Sequence, residues 1–146
     1  MHMDLSEQYD KIYRYCYEKL RRRESAEDVT QETFLRFYRS YAGRERTLQL
    51  LYTIARNLCA DEWRKRPELP LEDAEVVPQE ELLPEDSADL RAALSELAPK
   101  DRELLLLRCV NEVPWDTLSA LYGVSRFALM RRCRALLTEL KRELEG

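Results

Sequence analysis

The sequence predicts an all-α protein made of two small helical domains joined by an acidic, proline-containing linker. Apolar residues recur at three- and four-residue steps through most of the 146 residues, and the chain holds only 3 glycines, which favours helices. No stretch shows the alternating pattern of a strand. Over 67–87 the helical periodicity stops and prolines accompany acidic residues, which is typical of an extended linker. The predicted domains therefore span 1–66 and 88–146.

The first domain is predicted to hold three amphipathic helices, over 6–22, 26–41 and 47–65. Ser25, with Asp28 three residues later, resembles a capping box that would begin the second helix. The residues expected to face the core are Tyr9, Ile12, Tyr13, Cys16, Tyr17, Leu20, Val29, Thr33, Phe34, Phe37, Tyr38, Leu48, Leu51, Tyr52, Ala55, Leu58, Cys59 and Trp63.

The second domain is predicted to hold four helices. Asp86 or Ser87 caps the first, Pro99 lies in the first turn of the second, and Pro114 begins the third. A final helix covers 126–144. The core positions expected from the spacing are Leu90, Ala93, Leu94, Leu97, Leu104, Leu105, Leu107, Val110, Trp115, Leu118, Leu121, Tyr122, Leu129, Cys133, Leu136, Leu137 and Leu140.

The last two helices have the proportions of a helix-turn-helix. Gly123 stands where a left-handed C-cap is needed, Val124 is expected to fill the angle, and Ser125 is expected to cap the second helix. The outward residues of that helix are Arg126, Phe127, Met130, Arg131 and Arg134. Such a face suits base edges and phosphates, although an ordinary helical hairpin with a solvated basic face fits the same pattern.

The charge is unevenly distributed along the chain. Residues 1–66 carry +3, residues 67–87 carry −8 and residues 88–146 carry +1, so the net charge of −4 does not argue against DNA binding. The four cysteines form no CxxC pair and are expected to be buried free thiols, and with a single histidine the sequence predicts no metal site and no cofactor.

Several function classes are excluded by missing patterns. The sequence has neither a glycine-rich phosphate loop nor a set of nucleophile and base, so no enzyme is expected. No apolar run is long enough for a membrane span and no signal peptide is recognised, so we expect a cytoplasmic protein. Met1-His2-Met3 is interpreted as a cloning remnant.

Two further sets of polar residues lie in the first domain. Asp28, Gln31, Glu32 and Arg36 follow one another at three- or four-residue steps and form either a partner-binding face or a solvated one. In the second set, Asn57 is a candidate for a base edge, and basic residues surround it along the chain. These basic residues are Arg44, Arg46, Arg56, Arg64 and Lys65, the last two of which also suit the dipole of a helix end.

Three runs resemble the extracytoplasmic-function sigma factors of bacterial RNA polymerase. Their region 2 is similar to Ala26-Glu27-Asp28-x-x-Gln31-Glu32-Thr33-Phe34-Leu35-Arg36 and to Leu51-Tyr52-x-Ile54-Ala55-Arg56-Asn57-Leu58-x-x-Asp61-x-x-Arg64. Their region 4 is similar to Leu97-x-Pro99-x-x-Arg102-Glu103-Leu104-Leu105-Leu106-Leu107-Arg108 with the helix-turn-helix behind it. The resemblance covers nearly everything outside the linker, with both halves in the family's order.

The resemblance implies a transcription initiation factor that binds core RNA polymerase, directs it to specific promoters and assists promoter opening. The clamp helices of the largest subunit would contact Asp28, Gln31, Glu32, Phe34 and Arg36. The melted minus-ten element, including a flipped base, would contact Arg44, Arg46, Arg56, Asn57, Arg64 and Lys65. The minus-thirty-five element would contact Arg126, Phe127, Met130, Arg131, Arg132 and Arg134. The flap of the second-largest subunit and an anti-sigma factor are further implied partners, and the linker would pass through polymerase channels.

This chain departs from the family pattern in several places. Its first helix is shortened before Tyr9, the loop over 41–47 is shorter, and Leu50 replaces a tryptophan. In the last helix, only Arg132 is retained from the usual Val-Gly-Thr-Val-Lys-Ser-Arg run, so an unusual minus-thirty-five sequence is expected. Two alternatives remain: a stand-alone helix-turn-helix regulator whose first helices serve oligomerisation, and a helical adaptor that binds protein only.

Overall fold

The regular structure of the chain is helical throughout the residues that the computed structural model describes, which are 4–40, 47–65 and 88–145. The chain divides into two compact units, 1–76 and 77–146. The prediction of an all-α fold with two small helical domains is thus confirmed. The linker 67–87, with the caps Asp86 and Ser87, lies outside the described residues.

Unit 1 is a three-helix bundle of α1 (Leu5–Leu20), α2 (Arg23–Arg39) and α3 (Leu48–Lys65), in which each helix packs on the other two. Its core is apolar and aromatic, and it contains Ile12, Tyr15, Cys16, Tyr17, Leu20, Ala26, Val29, Phe34, Phe37, Leu51, Tyr52, Ala55, Leu58 and Cys59. Tyr15 was missed from the sequence because one apolar stripe was expected on α1. The helix faces two neighbours, so its buried arc is wider, and the Tyr15 ring meets Tyr52 of α3 at 5.8 Å between centroids.

Three expectations for unit 1 are wrong. The second helix begins at Arg23, and its N-cap Arg22 makes no side-chain cap bond, so Ser25 is not the cap but a buried residue of the first turn. Tyr38 and Trp63 are expected core residues, yet they are 44% and 48% exposed, so these sides of α2 and α3 are left partly uncovered in unit 1.

Unit 2 consists of α4 (Ala88–Ser95), α5 (Pro99–Leu105), α6 (Trp115–Tyr122) and α7 (Arg126–Glu145). A π-helical turn, Leu106–Val110, continues α5. The long helix α7 packs against each of the other three helices. The buried apolar residues are Ala93, Leu104, Leu105, Leu107, Val113, Leu118, Leu129, Cys133, Leu136 and Leu140.

Three expected core residues of unit 2 are exposed instead. The Asn111 backbone N–H donates to the Leu106 carbonyl at 2.9 Å, five residues back, and this wider turn rotates Cys109 out to the surface. Val124 does not fill the angle of the helix-turn-helix, and Leu137 is also exposed. Val113, which was not among the expected core residues, is buried in this unit.

No helix among the described residues combines the length and the apolar character that crossing a bilayer requires. The same residues contain no cluster of histidine, cysteine, aspartate or glutamate that could hold a metal ion.

Candidate functional site

The outward face of α2 presents unpaired polar groups beside one ion pair. Asp28 and Gln31 are exposed, and neither has a side-chain partner among the described residues. Arg36 Nε donates to Glu32 Oε2 at 2.8 Å, four residues back along the helix. The inward face of α2 holds the helix in place, because α1 and α3 both pack on it. The outward face of α2 therefore carries free hydrogen-bonding groups on a helix that two neighbouring helices hold in place.

Phe34, one of the predicted polymerase-binding residues, lies in the core rather than on this face. Its side chain is 8% exposed, and its ring lies 5.2 Å from Tyr9 and 6.5 Å from Phe37, measured between centroids. The role that fits this position is to anchor α2 against α1. Thr30 and Thr33 are also buried, and each donates its hydroxyl to the backbone carbonyl four residues earlier. Both hydroxyls are therefore hydrogen-bonded inside the core.

Leu35 is a surface residue of α2 that the sequence-based site did not include. It is 49% exposed and stands seven residues after Asp28 and four after Gln31, on the same side of the helix. An exposed leucine among polar groups would add buried apolar area if a partner covered this face. Its heptad spacing from Asp28 was the signal available in the sequence.

The second predicted site lies on α3. Asn57 is exposed there without a side-chain partner in the described part of the chain, whereas Arg56 is partly buried and engaged. Near the end of α3, Arg64 pairs with Asp61 and Lys65 is exposed. Arg44 and Arg46, which were predicted to join this site, lie outside the described residues.

The helix-turn-helix is closed by the residues that the sequence predicted for it. Gly123 adopts a left-handed conformation with φ 66°, and its N–H donates to the Ser119 carbonyl at 2.9 Å. The Ser119 hydroxyl donates to the Val124 carbonyl at 2.8 Å. Ser125 accepts the Ala128 N–H at 3.2 Å and so caps α7. The predictions for Gly123 and Ser125 are confirmed, and the turn fixes the angle at which α7 leaves α6.

Two of the four arginines at the start of α7 are tied to acidic residues of other helices. Arg126 donates to Asp116 of α6 at 3.1 Å. Arg132 donates twice to Asp101 of α5, from Nε at 3.1 Å and from NH2 at 2.6 Å. The side-chain hydrogen bond with Asp101, and then its charge, raise the pKa of Arg132 above its ordinary value. These two guanidinium groups hold α7 against α6 and α5 within unit 2.

The other two arginines are unpaired. Arg131 and Arg134 are exposed, and no side-chain partner for either occurs in the described part of the chain. Phe127 stands four residues before Arg131 and seven before Arg134, on the same side of α7, and its side chain is 60% exposed. The outward face of α7 therefore offers fewer free cations than predicted. Phe127 comes first along the helix, and the unpaired Arg131 and Arg134 follow it.

An open groove of about 440 Å³ runs beside this face. It is lined by Trp115, Met130, Cys133, Arg134, Leu137, Thr138 and Lys141. Met130 is half-buried and belongs to this groove as well as to the predicted DNA-binding set. Burial, together with the nearby Cys109, raises the pKa of Cys133 to about 11, so its thiol stays protonated at neutral pH. The groove offers apolar contacts with two cations at its edge.

Comparisons with known proteins agree on one family. Residues 5–67 match the family described as Sigma-70 region 2. The chain is 34% identical over 128 residues to the ECF RNA polymerase sigma factor SigE of Mycolicibacterium smegmatis, covering 79% of this chain and 50% of SigE. It is 38% identical over 120 residues to BldN of Streptomyces coelicolor (71% of this chain and 45% of BldN) and 33% identical over 125 residues to SigW of Bacillus subtilis (71% and 67%). Both relatives carry the same ECF sigma factor description.

The chain thus spans about half the length of SigE and BldN. A similar fold occurs in the sigma factor RpoE of Bartonella quintana, solved in complex with the anti-sigma factor NepR. The TM-score is 0.63 at 21% identity, and the match covers 92% of this chain and 89% of RpoE.

Proposed function

The chain belongs to the ECF RNA polymerase sigma factors, and from this premise we propose that it binds bacterial core RNA polymerase, directs it to specific promoters and assists promoter opening. RNA synthesis is then catalysed by the core enzyme, and this chain contributes binding only. Its place of action is the cytoplasm, where polymerase and genome are found.

The observation that carries the proposal is the outward face of α2. Asp28 and Gln31 are exposed and unpaired in the described structure, and they stand on a helix fixed by two neighbours. We assign this face, with Glu32 and Arg36, to the clamp helices of the largest polymerase subunit. Leu35 lies among these groups and would supply the apolar contact that such an interface needs.

The melted minus-ten element is assigned to the exposed side of α3. Asn57 offers an amide that can both donate to and accept from a base edge, and Arg56, Arg64 and Lys65 supply positive charge for the backbone. Arg44 and Arg46 are assigned here from the sequence alone.

The minus-thirty-five element is assigned to the outward face of α7. Arg131 and Arg134 are the groups available to phosphates or base edges, since both are exposed and neither is paired within the described fold. Arg126 and Arg132 act instead by holding α7 against α6 and α5, through Asp116 and Asp101. The sequence had placed all four arginines on the DNA.

The groove beside α7 suits a partner helix. Its apolar lining and its edge cation Lys141 match an amphipathic helix with acidic residues, whereas Arg134, at the same edge, is assigned to the DNA. We assign this groove to the flap of the second-largest polymerase subunit. An anti-sigma factor is a further expected partner, as NepR is for RpoE.

The test is co-migration of the purified chain with bacterial core RNA polymerase on a sizing column. Wild type is expected to co-migrate, and Asp28→Arg/Gln31→Ala is expected to remain free, because it reverses one charge and removes one amide from the α2 face. The matched control is Asp10→Arg/Gln49→Ala, which makes the same chemical changes at exposed positions of α1 and α3. This control should co-migrate like wild type.

Two results would contradict the proposal. Failure of the wild-type chain to bind polymerase, while it shifts duplex DNA alone, would favour a stand-alone helix-turn-helix regulator. Binding of the Asp28→Arg/Gln31→Ala variant as tightly as wild type would remove the α2 face from the interface.

A further inference from the structure

The most exposed large apolar side chain of α7 lies near the start of that helix. The two unpaired arginines follow it along the helix. Phe127 is the second residue of α7, and 60% of its side-chain surface is exposed. It is more exposed than any other large hydrophobic residue in the described structure. Binding is favoured when a partner removes such an exposed phenylalanine ring from water. Its location narrows the choice of partner.

The Phe127 ring is held from one side. The guanidinium of Arg126 lies over it, 5.3 Å from the ring centroid, and the same guanidinium donates to Asp116 at 3.1 Å. Asp116 belongs to α6, so the ring is oriented by a contact that reaches across the helix-turn-helix. A side chain that is already oriented loses little conformational freedom when it binds.

Phe127 shares its side of α7 with the two unpaired arginines. Arg131 lies one turn further along and Arg134 two turns further. Two exposed cations attract phosphates, and residues at the start of a recognition helix reach deepest into the major groove. In that groove, thymine is the natural base that presents an apolar group, its 5-methyl. Duplex DNA therefore matches both parts of this face.

We propose that Phe127 selects thymine in the minus-thirty-five element, by packing the exposed side of its ring against a thymine 5-methyl group in the major groove. Arg126 and Asp116 position the ring, and Arg131 and Arg134, one and two turns further along α7, bind the phosphate backbone. This inference rests on the proposed function and adds the base that the site prefers.

The experiment uses holoenzyme reconstituted from the full chain and core polymerase. A library of promoter duplexes with a random minus-thirty-five cassette is selected for binding, and the enriched cassette is then synthesised with thymine or with uracil, which lacks the 5-methyl. For wild type, we expect enrichment of thymine and an affinity about four-fold lower for each contacted methyl that uracil omits.

Variants separate Phe127 from the rest of α7. Phe127→Ala should bind the thymine and uracil cassettes equally, and Phe127→Leu should retain part of the preference because it keeps an apolar side chain. Leu144→Ala is the matched control, since it removes another exposed apolar side chain from the same helix, outside the groove assigned to polymerase, and should keep the full preference.

The proposal is overturned by an enriched cassette without thymine, by equal wild-type affinity for thymine and uracil, or by a preference that survives Phe127→Ala. Failure of the proposed function gives a different result, because wild type would then not join core polymerase before any DNA is added.

Discussion

The outward faces of α2 and α7 both combine charged groups with an exposed apolar side chain, but their ion pairs are organised differently. On α2 the charged pair, Glu32 and Arg36, lies within one helix, four residues apart. On α7 the paired arginines reach other helices: Arg126 reaches Asp116, and Arg132 reaches the α5 residue Asp101. The ion pair on the α2 face thus needs only that helix, whereas the ion pairs on the α7 face form only when unit 2 is folded.

The difference matters for function because pairing decides which groups are left for a partner. On α2 the groups left over are Asp28 and Gln31, which offer a carboxylate and an amide to a protein surface. On α7 they are Arg131 and Arg134, which offer positive charge to phosphates. Each face can therefore be altered without changing the ion pairs that support it.

The largest expected effect is on the α7 face. Arg131→Ala/Arg134→Ala should weaken holoenzyme binding to a promoter duplex and make its salt dependence shallower, by about one unit of slope for each phosphate that the variant no longer neutralises. Binding measured over a series of salt concentrations gives the slope. The control Lys100→Ala/Arg142→Ala removes the same charge from exposed positions of unit 2, and it should leave the slope unchanged. An unchanged slope in the first variant would contradict its assignment to DNA.

A smaller effect is expected when the ion pair between Arg132 of α7 and Asp101 of α5 is removed. Arg132→Ala should keep the salt slope of wild type and lower the free energy of unfolding of unit 2 only slightly, because Arg132 is more than half exposed and solvent screens its pair with Asp101. Asp101→Ala should cost a similar amount. Since both variants remove the same bond, the double variant should cost less than the sum of the two.

Urea unfolding measures this effect when Trp63 is replaced by Phe, so that Trp115 alone reports on unit 2. A reduced salt slope in Arg132→Ala would instead place this arginine on the DNA, as the sequence alone had suggested.

The smallest expected effect concerns the pair on α2. Glu32→Gln or Arg36→Gln should lower the free energy of unfolding of unit 1 by only about 0.3–0.5 kcal/mol, the usual value for an exposed pair four residues apart. Fluorescence of Trp63 in a Trp115→Phe background follows unit 1 during the urea titration. A loss above about 1 kcal/mol would show that the α2 face, like that of α7, supports the fold.

Local patterns in the sequence predicted most of unit 1. The three helices and the α2 face follow from spacing within single helices, which is why Asp28, Gln31 and Glu32 were identified together. Tyr15 and Ser25 were missed because their burial depends on a second neighbouring helix, which periodicity along one helix does not reveal.

Less of the α7 face could be predicted, because its pairs join residues far apart in the chain. Arg126 and Asp116 are 10 residues apart, and Arg132 and Asp101 are 31 apart, so no local pattern connects them. The π-helical turn had the same consequence for Cys109, which helical spacing placed in the core. Gly123 and Ser125 were predicted correctly because caps depend on a residue's immediate neighbours.

Measuring polymerase binding and DNA binding on the same set of variants tests most directly whether α2 binds polymerase and α7 binds DNA. Polymerase co-migration and holoenzyme binding to a promoter duplex are measured for wild type, Asp28→Arg/Gln31→Ala and Arg131→Ala/Arg134→Ala. We expect the α2 variant to lose co-migration, and the α7 variant to co-migrate like wild type but to bind the duplex weakly. If the α7 variant also failed to join polymerase, or if the α2 variant formed a holoenzyme with normal duplex binding, the assignment of polymerase to α2 and of DNA to α7 would be contradicted.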